Sequence, residues 1–160
     1  FDHTDWTSVP IGQFVQQMEG AKPYVENFIT FAYSHYYSPN VTDRAFHDTY
    51  KEYVNTGTLE QEPPTAPSNL QLMEMPDGAM YLLWGESDDN VGVAGYIIYR
   101  NGKKVSRTQV PRTGSSMLSL KAYKETSRLV SGRTYSYTVR AYDFAGNISE
   151  ESEPLEYTAP

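Results

Sequence analysis

The chain has 160 residues, a net charge of −7 and no cysteine. That length admits one large domain or one domain with an extension. The acidic balance argues against a nucleic-acid surface, and the missing cysteine removes disulfides, thiolate nucleophiles and cysteine zinc clusters from consideration.

The charge is uneven along the chain. Residues 1–62 carry 9 acidic and 3 basic side chains, a balance of −6, whereas residues 63–160 carry 11 and 10, a balance of −1. His3, His35 and His47 all fall in the first part. No apolar run is long enough to span a bilayer. The opening Phe1-Asp-His-Thr-Asp-Trp6 lacks the basic start and apolar core of a signal peptide. Without a start methionine, the chain is expected to be processed, truncated or cut from something longer.

Thr7 or Ser8 can cap a first helix, with Pro10 in its first turn. Ile11, Phe14, Val15 and Met18 then recur at helical spacing, and Gly20 or Pro23 should end the run. Phe28-Ile-Thr-Phe-Ala-Tyr33 is short, apolar and rich in β-formers, so it reads as a buried strand. Ser34 to Pro39 reads as a loop. Asn40 to Asp43 can cap a second helix whose apolar face holds Phe46, Tyr50 and Tyr53, with Gly57 as its stop. Leu59 to Pro67, with prolines at 63, 64 and 67, reads as an extended, semi-rigid linker, so the halves on either side of it are expected to move independently.

Beyond the linker the pattern turns all-β. Leu70 and Leu72 mark a first strand, Pro76-Asp-Gly78 a turn, and Met80, Leu82 and Trp84 the inward phase of a second strand. Tyr96 and Ile98 belong to a third, and Asn101-Gly102 supplies the positive φ angles of a tight hairpin. Leu118 and Leu120 suggest a further strand, and Leu155 and Tyr157 a last one. The clearest strand runs through Tyr135. Tyr135, Tyr137, Val139 and Ala141 lie on one face, with Ser136, Thr138, Arg140 and Tyr142 on a wet outer face. Leu129 and Gly132 just upstream of Tyr135 look like the tyrosine corner of an immunoglobulin-like sandwich.

On Pro64-Thr-Ala-Pro-Ser-Asn-Leu70, Trp84, Asp89 to Gly102, Gly132 to Tyr137 and Asp143-Phe-Ala-Gly-Asn147, the second half resembles the fibronectin type III family. The variety is the one attached to bacterial secreted polysaccharide-acting enzymes. Ser115 to Arg128 is longer and more charged than the family pattern. Ile11 to Tyr53, with Tyr24 to Phe31 and Ser34 to Asn40, is similar to the last units of a (β/α)8 barrel from a glycoside-hydrolase-like family of bacterial surface and secreted proteins. The implied fold class is mainly β, an immunoglobulin-like (fibronectin type III) β-sandwich with an N-terminal α/β extension of helix, strand and helix. The implied division is 1–57 as the end of a TIM barrel, 58–66 as linker and 67–160 as sandwich.

His35, Tyr36 and Tyr37 follow the expected barrel strand, where loops form the active-site face, and could orient a sugar. The plainer reading is an aromatic cluster at a strand end. Asp2, His3 and Asp5 fit the same logic less well. Asp88, Asp89 and Asn90 precede the third strand, and Asp143 and Asn147 follow the Tyr135 strand. These loops meet at one end of such a sandwich, where their oxygens could hold a structural calcium ion. Alternatively each Asx side chain caps its own turn. Tyr81, Tyr99 and Tyr142 are expected to face outward, as a glycan platform or as ordinary cross-strand pairs. No catalytic residues can be read, since glycosidase carboxylates are defined by separation in space.

Three functions follow. The first is a non-catalytic accessory or spacer module at the C-terminus of a larger secreted carbohydrate-active protein, partnered by an upstream catalytic domain. The second is a module that binds polysaccharide through exposed aromatics. The third is part of a glycoside hydrolase. No cofactor beyond that calcium, no nucleic acid and no membrane insertion are expected, and the resemblance implies an extracellular or cell-surface location.

Overall fold

The computed structural model describes residues 11–26, 44–109 and 121–160. The strand expected at Phe28 to Tyr33, the caps at residues 7–10 and 40–43, and the strand expected at Leu118 and Leu120 lie outside the described residues. So does the side chain of Phe46.

Among the described residues, strands β1 (Gln71–Glu74), β2 (Met80–Leu83) and β5 (Ala122–Glu125) form one antiparallel sheet in the order β1-β2-β5. Strands β3 (Val93–Arg100), β4 (Lys103–Arg107), β6 (Thr134–Asp143) and β7 (Leu155–Thr158) form a second antiparallel sheet, in the order β4-β3-β6-β7. The two sheets close on Leu82, Trp84, Tyr96, Ile98, Tyr135, Tyr137, Val139 and Ala141. This is a fibronectin type III-like β-sandwich.

The period-2 alternation of apolar residues produces this core. Ile98 pairs with Val139 and Tyr135 with Tyr157, so each aromatic or branched side chain meets another across the ladder. The Trp84 and Tyr96 rings meet edge to face at 5.3 Å. Each such side chain, fully buried, contributes about 1.5–3 kcal/mol. The β3–β4 hairpin turns on Asn101 and Gly102, with φ of 50° and 72°. Both angles suit a two-residue type I′ turn. The tyrosine corner is present: the Val130 N–H donates to the Tyr135 hydroxyl at 2.9 Å.

Helices α1 (Ile11–Ala21) and α2 (Arg44–Thr56) lie against the outer face of the four-stranded sheet. Ile11 and Val15 of α1 and Tyr53 of α2 pack with Ala94, Ile97, Tyr142 and Phe144. The Tyr53 hydroxyl donates to Glu19 Oε1 at 2.6 Å and ties the helices together. That bond to Glu19, aided by desolvation, pushes the Tyr53 phenol up to about 12. The second helix stops at Gly57, whose N–H reaches the Tyr53 carbonyl at 2.8 Å.

This docking corrects two expectations. The outer faces of β3 and β6 are not wet where the helices sit, since Ile97 is 8% and Tyr142 3% exposed. Nor are the helices a freely hinged half, because their apolar stripe is buried on the sheet. The linker is held as well. Pro64 and Pro67 are buried, the Thr65 N–H donates to the Asp88 carbonyl at 2.9 Å, and the Gly85 N–H donates to the Ser68 carbonyl at 2.7 Å.

Candidate functional site

Three segments converge at the end of the sandwich nearest the helices: the linker, the β2–β3 loop and the β6–β7 loop. Asp89 Oδ1 accepts from the N–H groups of Val91 at 3.0 Å and Gly92 at 2.7 Å. Asp143 Oδ1 accepts from Gly146 at 2.5 Å and Asn147 at 2.8 Å. These are Asx side chains satisfying their own turns. Asn147 Nδ2 donates to Asp143 Oδ2 at 2.7 Å, to the Glu60 carbonyl at 3.2 Å, and to Glu60 Oε1.

The convergence is electrostatically crowded. Desolvation raises the Glu60 carboxyl, the charges of Asp143 and Asp89 raise it further, and hydrogen bonds from Asn90 and the Glu62 N–H oppose them. Desolvation also raises Asp89, with Asp143 and Glu62 adding to it against the Val91 and Gly92 N–H groups. Glu60 Oε2 and Asp89 Oδ2 are buried without a donor. The structure thus gathers Asp89, Asn90, Asp143 and Asn147 around Glu60, a residue the sequence reading passed over as linker. Asp88 stays exposed, its N–H taken by Thr65 Oγ1 at 2.8 Å. Among the described residues, no group of three or more His, Cys, Asp or Glu is arranged to hold a metal ion.

Beside this cluster lies a cleft of about 590 Å³, walled by α1, the linker, the outer sheet face and the β6–β7 loop. Gln13 and Gln16 line one wall, Gln61 and Asn147 another, and Val15, Leu59 and Ile97 contribute apolar surface. Arg107 closes one side, its guanidinium carbon 4.0 Å from the centre of the Tyr142 ring. Burial raises the Tyr142 phenol, and the nearby Arg107 opposes that rise.

The three outward tyrosines do not form a row. Tyr81 stands on the other sheet, 5.9 Å below the Lys124 ammonium. Tyr99 is half-buried against the helical cluster, and Tyr142 is buried within it. A flat aromatic platform built from these residues is therefore excluded, because the helices cover part of the face that would carry it. His35, Tyr36 and Tyr37, with Asp2, His3 and Asp5, lie outside the described residues.

A second polar feature escaped the sequence reading. Glu125, with a side chain 2% exposed, sits between the sheets. Its Oε2 accepts from Arg100 Nη1 at 2.8 Å and the Tyr137 hydroxyl at 2.9 Å, and its Oε1 accepts from the Ser127 N–H at 2.8 Å. Desolvation alone would raise this carboxyl, but the Ser127 and Tyr137 bonds and the Arg100 charge together hold it below its usual range. Tyr137 is raised by its burial and by Glu125. The available signal was phase: Glu125 follows the partly buried Tyr123 by two residues on one strand, so both point inward.

No family model matches the chain. It is similar to chitinase Chi52 of Paenibacillus xylanexedens, 39% identical over 103 residues, covering 64% of this chain and 18% of that protein. An α-amylase of Niallia circulans is 37% identical over 101 residues, covering 63% and 7%. Exoglucanase B of Cellulomonas fimi is 29% identical over 130 residues, covering 80% and 11%. The chain thus spans less than a fifth of the length of each of these relatives. Each matched stretch is longer than everything before the sandwich, so each includes sandwich residues. Among the described residues, no helix is long and apolar enough to cross a membrane.

Proposed function

We propose that this chain is a non-catalytic accessory module, a spacer or docking unit attached to the catalytic body of a larger carbohydrate-active protein. One observation carries the reading. Related stretches occur in proteins named for different substrates: a chitinase, an α-amylase and an exoglucanase. A segment shared across those names does not choose the glycan or cut it. Polymeric glycans of that kind lie outside the cell, which supports a secreted or surface location. The helical segment as the end of a TIM barrel belongs to the same proposal, with the sandwich held against that body by the linker and α1.

The test is deletion of the module from its parent protein. Turnover of a short soluble substrate is expected to stay within about twofold, since the transition-state contacts at the reacting bond are untouched. Turnover of insoluble polymer is expected to fall. Equal loss on both substrates would show that the module helps build the catalytic site.

A further inference from the structure

We propose that the cleft between α1, the linker and the β6–β7 loop is a binding subsite for a neutral oligosaccharide. The proposal rests on the accessory-module reading and names the ligand that such a module would take. The volume of about 590 Å³ lies in the range of sites that accept ligands the size of a short oligosaccharide.

The wall chemistry selects the class. Gln13 and Gln16 are one helical turn apart on α1, both exposed and both lining the cleft. Gln61, also exposed, lines it from the linker. Each carboxamide offers two donors and an acceptor on a planar group, which matches the paired hydroxyls of a pyranose. Leu59, half-buried, gives a small apolar surface for the C–H face of the ring, over the buried Val15 and Ile97.

Charge argues against an anionic ligand. Glu60 lines the cleft and Asp143 lies just behind it, so the floor is negative and repels an anionic sugar. The cation at the rim, Arg107, is stacked on Tyr142. Tyr142 is itself buried, so among the described lining residues no aromatic ring is offered for stacking, and the affinity should be modest, roughly millimolar.

The experiment is an amide and side-chain NMR titration of the whole chain with chitotetraose, cellotetraose, maltotetraose and a galacturonate oligomer. The expected result is shifts confined to residues 12–16, Gln61 and 146–148 with at least one neutral oligomer. The double variant Gln13→Ala and Gln16→Ala, confirmed folded by its spectrum, should bind at least about tenfold more weakly. No shifts with any neutral oligomer, shifts mapping elsewhere, or binding of the galacturonate oligomer alone would overturn the proposal. The parent deletion described above is read independently. Its loss on insoluble polymer without any shifts would sink the cleft and keep the accessory reading. Shifts without that loss would do the reverse.

Discussion

Gly12 of α1 lies so close to Ala145 that a Cβ added to it would stand 1.9 Å from the Ala145 carbonyl oxygen. Only a residue without a side chain lets the helix lie this near the β6–β7 loop. Gly12→Val should therefore push α1 off the sheet. The expected loss is about 1–3 kcal/mol, typical of overpacking a tight contact. Urea unfolding followed by the fluorescence of the core Trp84 would measure it, and an unchanged midpoint would show that α1 is not docked there.

Tyr135 offers a narrower test. Its hydroxyl accepts from Val130 across the corner, and its ring is in the core. Tyr135→Phe keeps the ring and removes one hydrogen bond, so about 0.5–1.5 kcal/mol should be lost.

The inner ion pair predicts a larger effect. Glu125→Ala leaves Arg100, with a side chain 20% exposed, and the buried Tyr137 hydroxyl without their partner. The expected cost is about 3–5 kcal/mol. Glu125→Gln keeps an acceptor and should cost less. The wild-type pH dependence follows from sign. The Glu125 carboxyl is held below 4.5 in the fold, so its stabilisation is complete above 4.5 and lost as pH falls through the lowered value. Denaturation at a series of acid pH values should show a steeper decline in wild type than in Glu125→Gln.

Asp89 runs the other way. Its carboxyl is raised above 3.8 in the fold, so its contribution is full below 3.8 and is lost as pH rises through the raised value. Asp89→Asn removes the repulsion from Asp143 and Glu62 and puts a donor near those carboxylates. At neutral pH it should stabilise by up to about 1 kcal/mol. A clear loss of stability would mean that the charge on Asp89 is needed, for instance by a bound cation.

The chain by itself should turn over no glycosidic bond. Hydrolysis commonly needs two carboxyl groups facing each other across the scissile bond. The carboxylates gathered here, Glu60, Asp89 and Asp143, are each tied by at least one oxygen to turn N–H groups or to Asn147. A screen of the purified chain against reporter glycosides checks this. Turnover removed by a single Asp or Glu substitution would refute it.

How much of this was legible depended on what each residue type signals. Tyr135 to Ala141 alternate cleanly, and the Asn101-Gly102 pair carries its own turn geometry, so β3, β4 and β6 could be placed from local rules. Ile97 and Tyr142 could not, because their burial depends on helices some 40 to 130 residues away in sequence. Glu125 was hidden for a different reason. A glutamate in a charged stretch reads as solvated until Arg100 and Tyr137 are known to lie opposite. The acidic cluster was half visible: the loop Asx residues were found, but Glu60 reached them from the linker.

The cover that α1 and α2 lay over β3 and β6 bears on how such modules are inherited. A recombination point placed at the linker would transfer a sandwich with Ala94, Ile97, Tyr142 and Phe144 bare on one face. Such an orphan would be sticky and prone to self-association. An expressed fragment of this chain should therefore keep α1 and α2, and a sandwich passed on without them needs polar side chains at the positions of Ile97 and Tyr142.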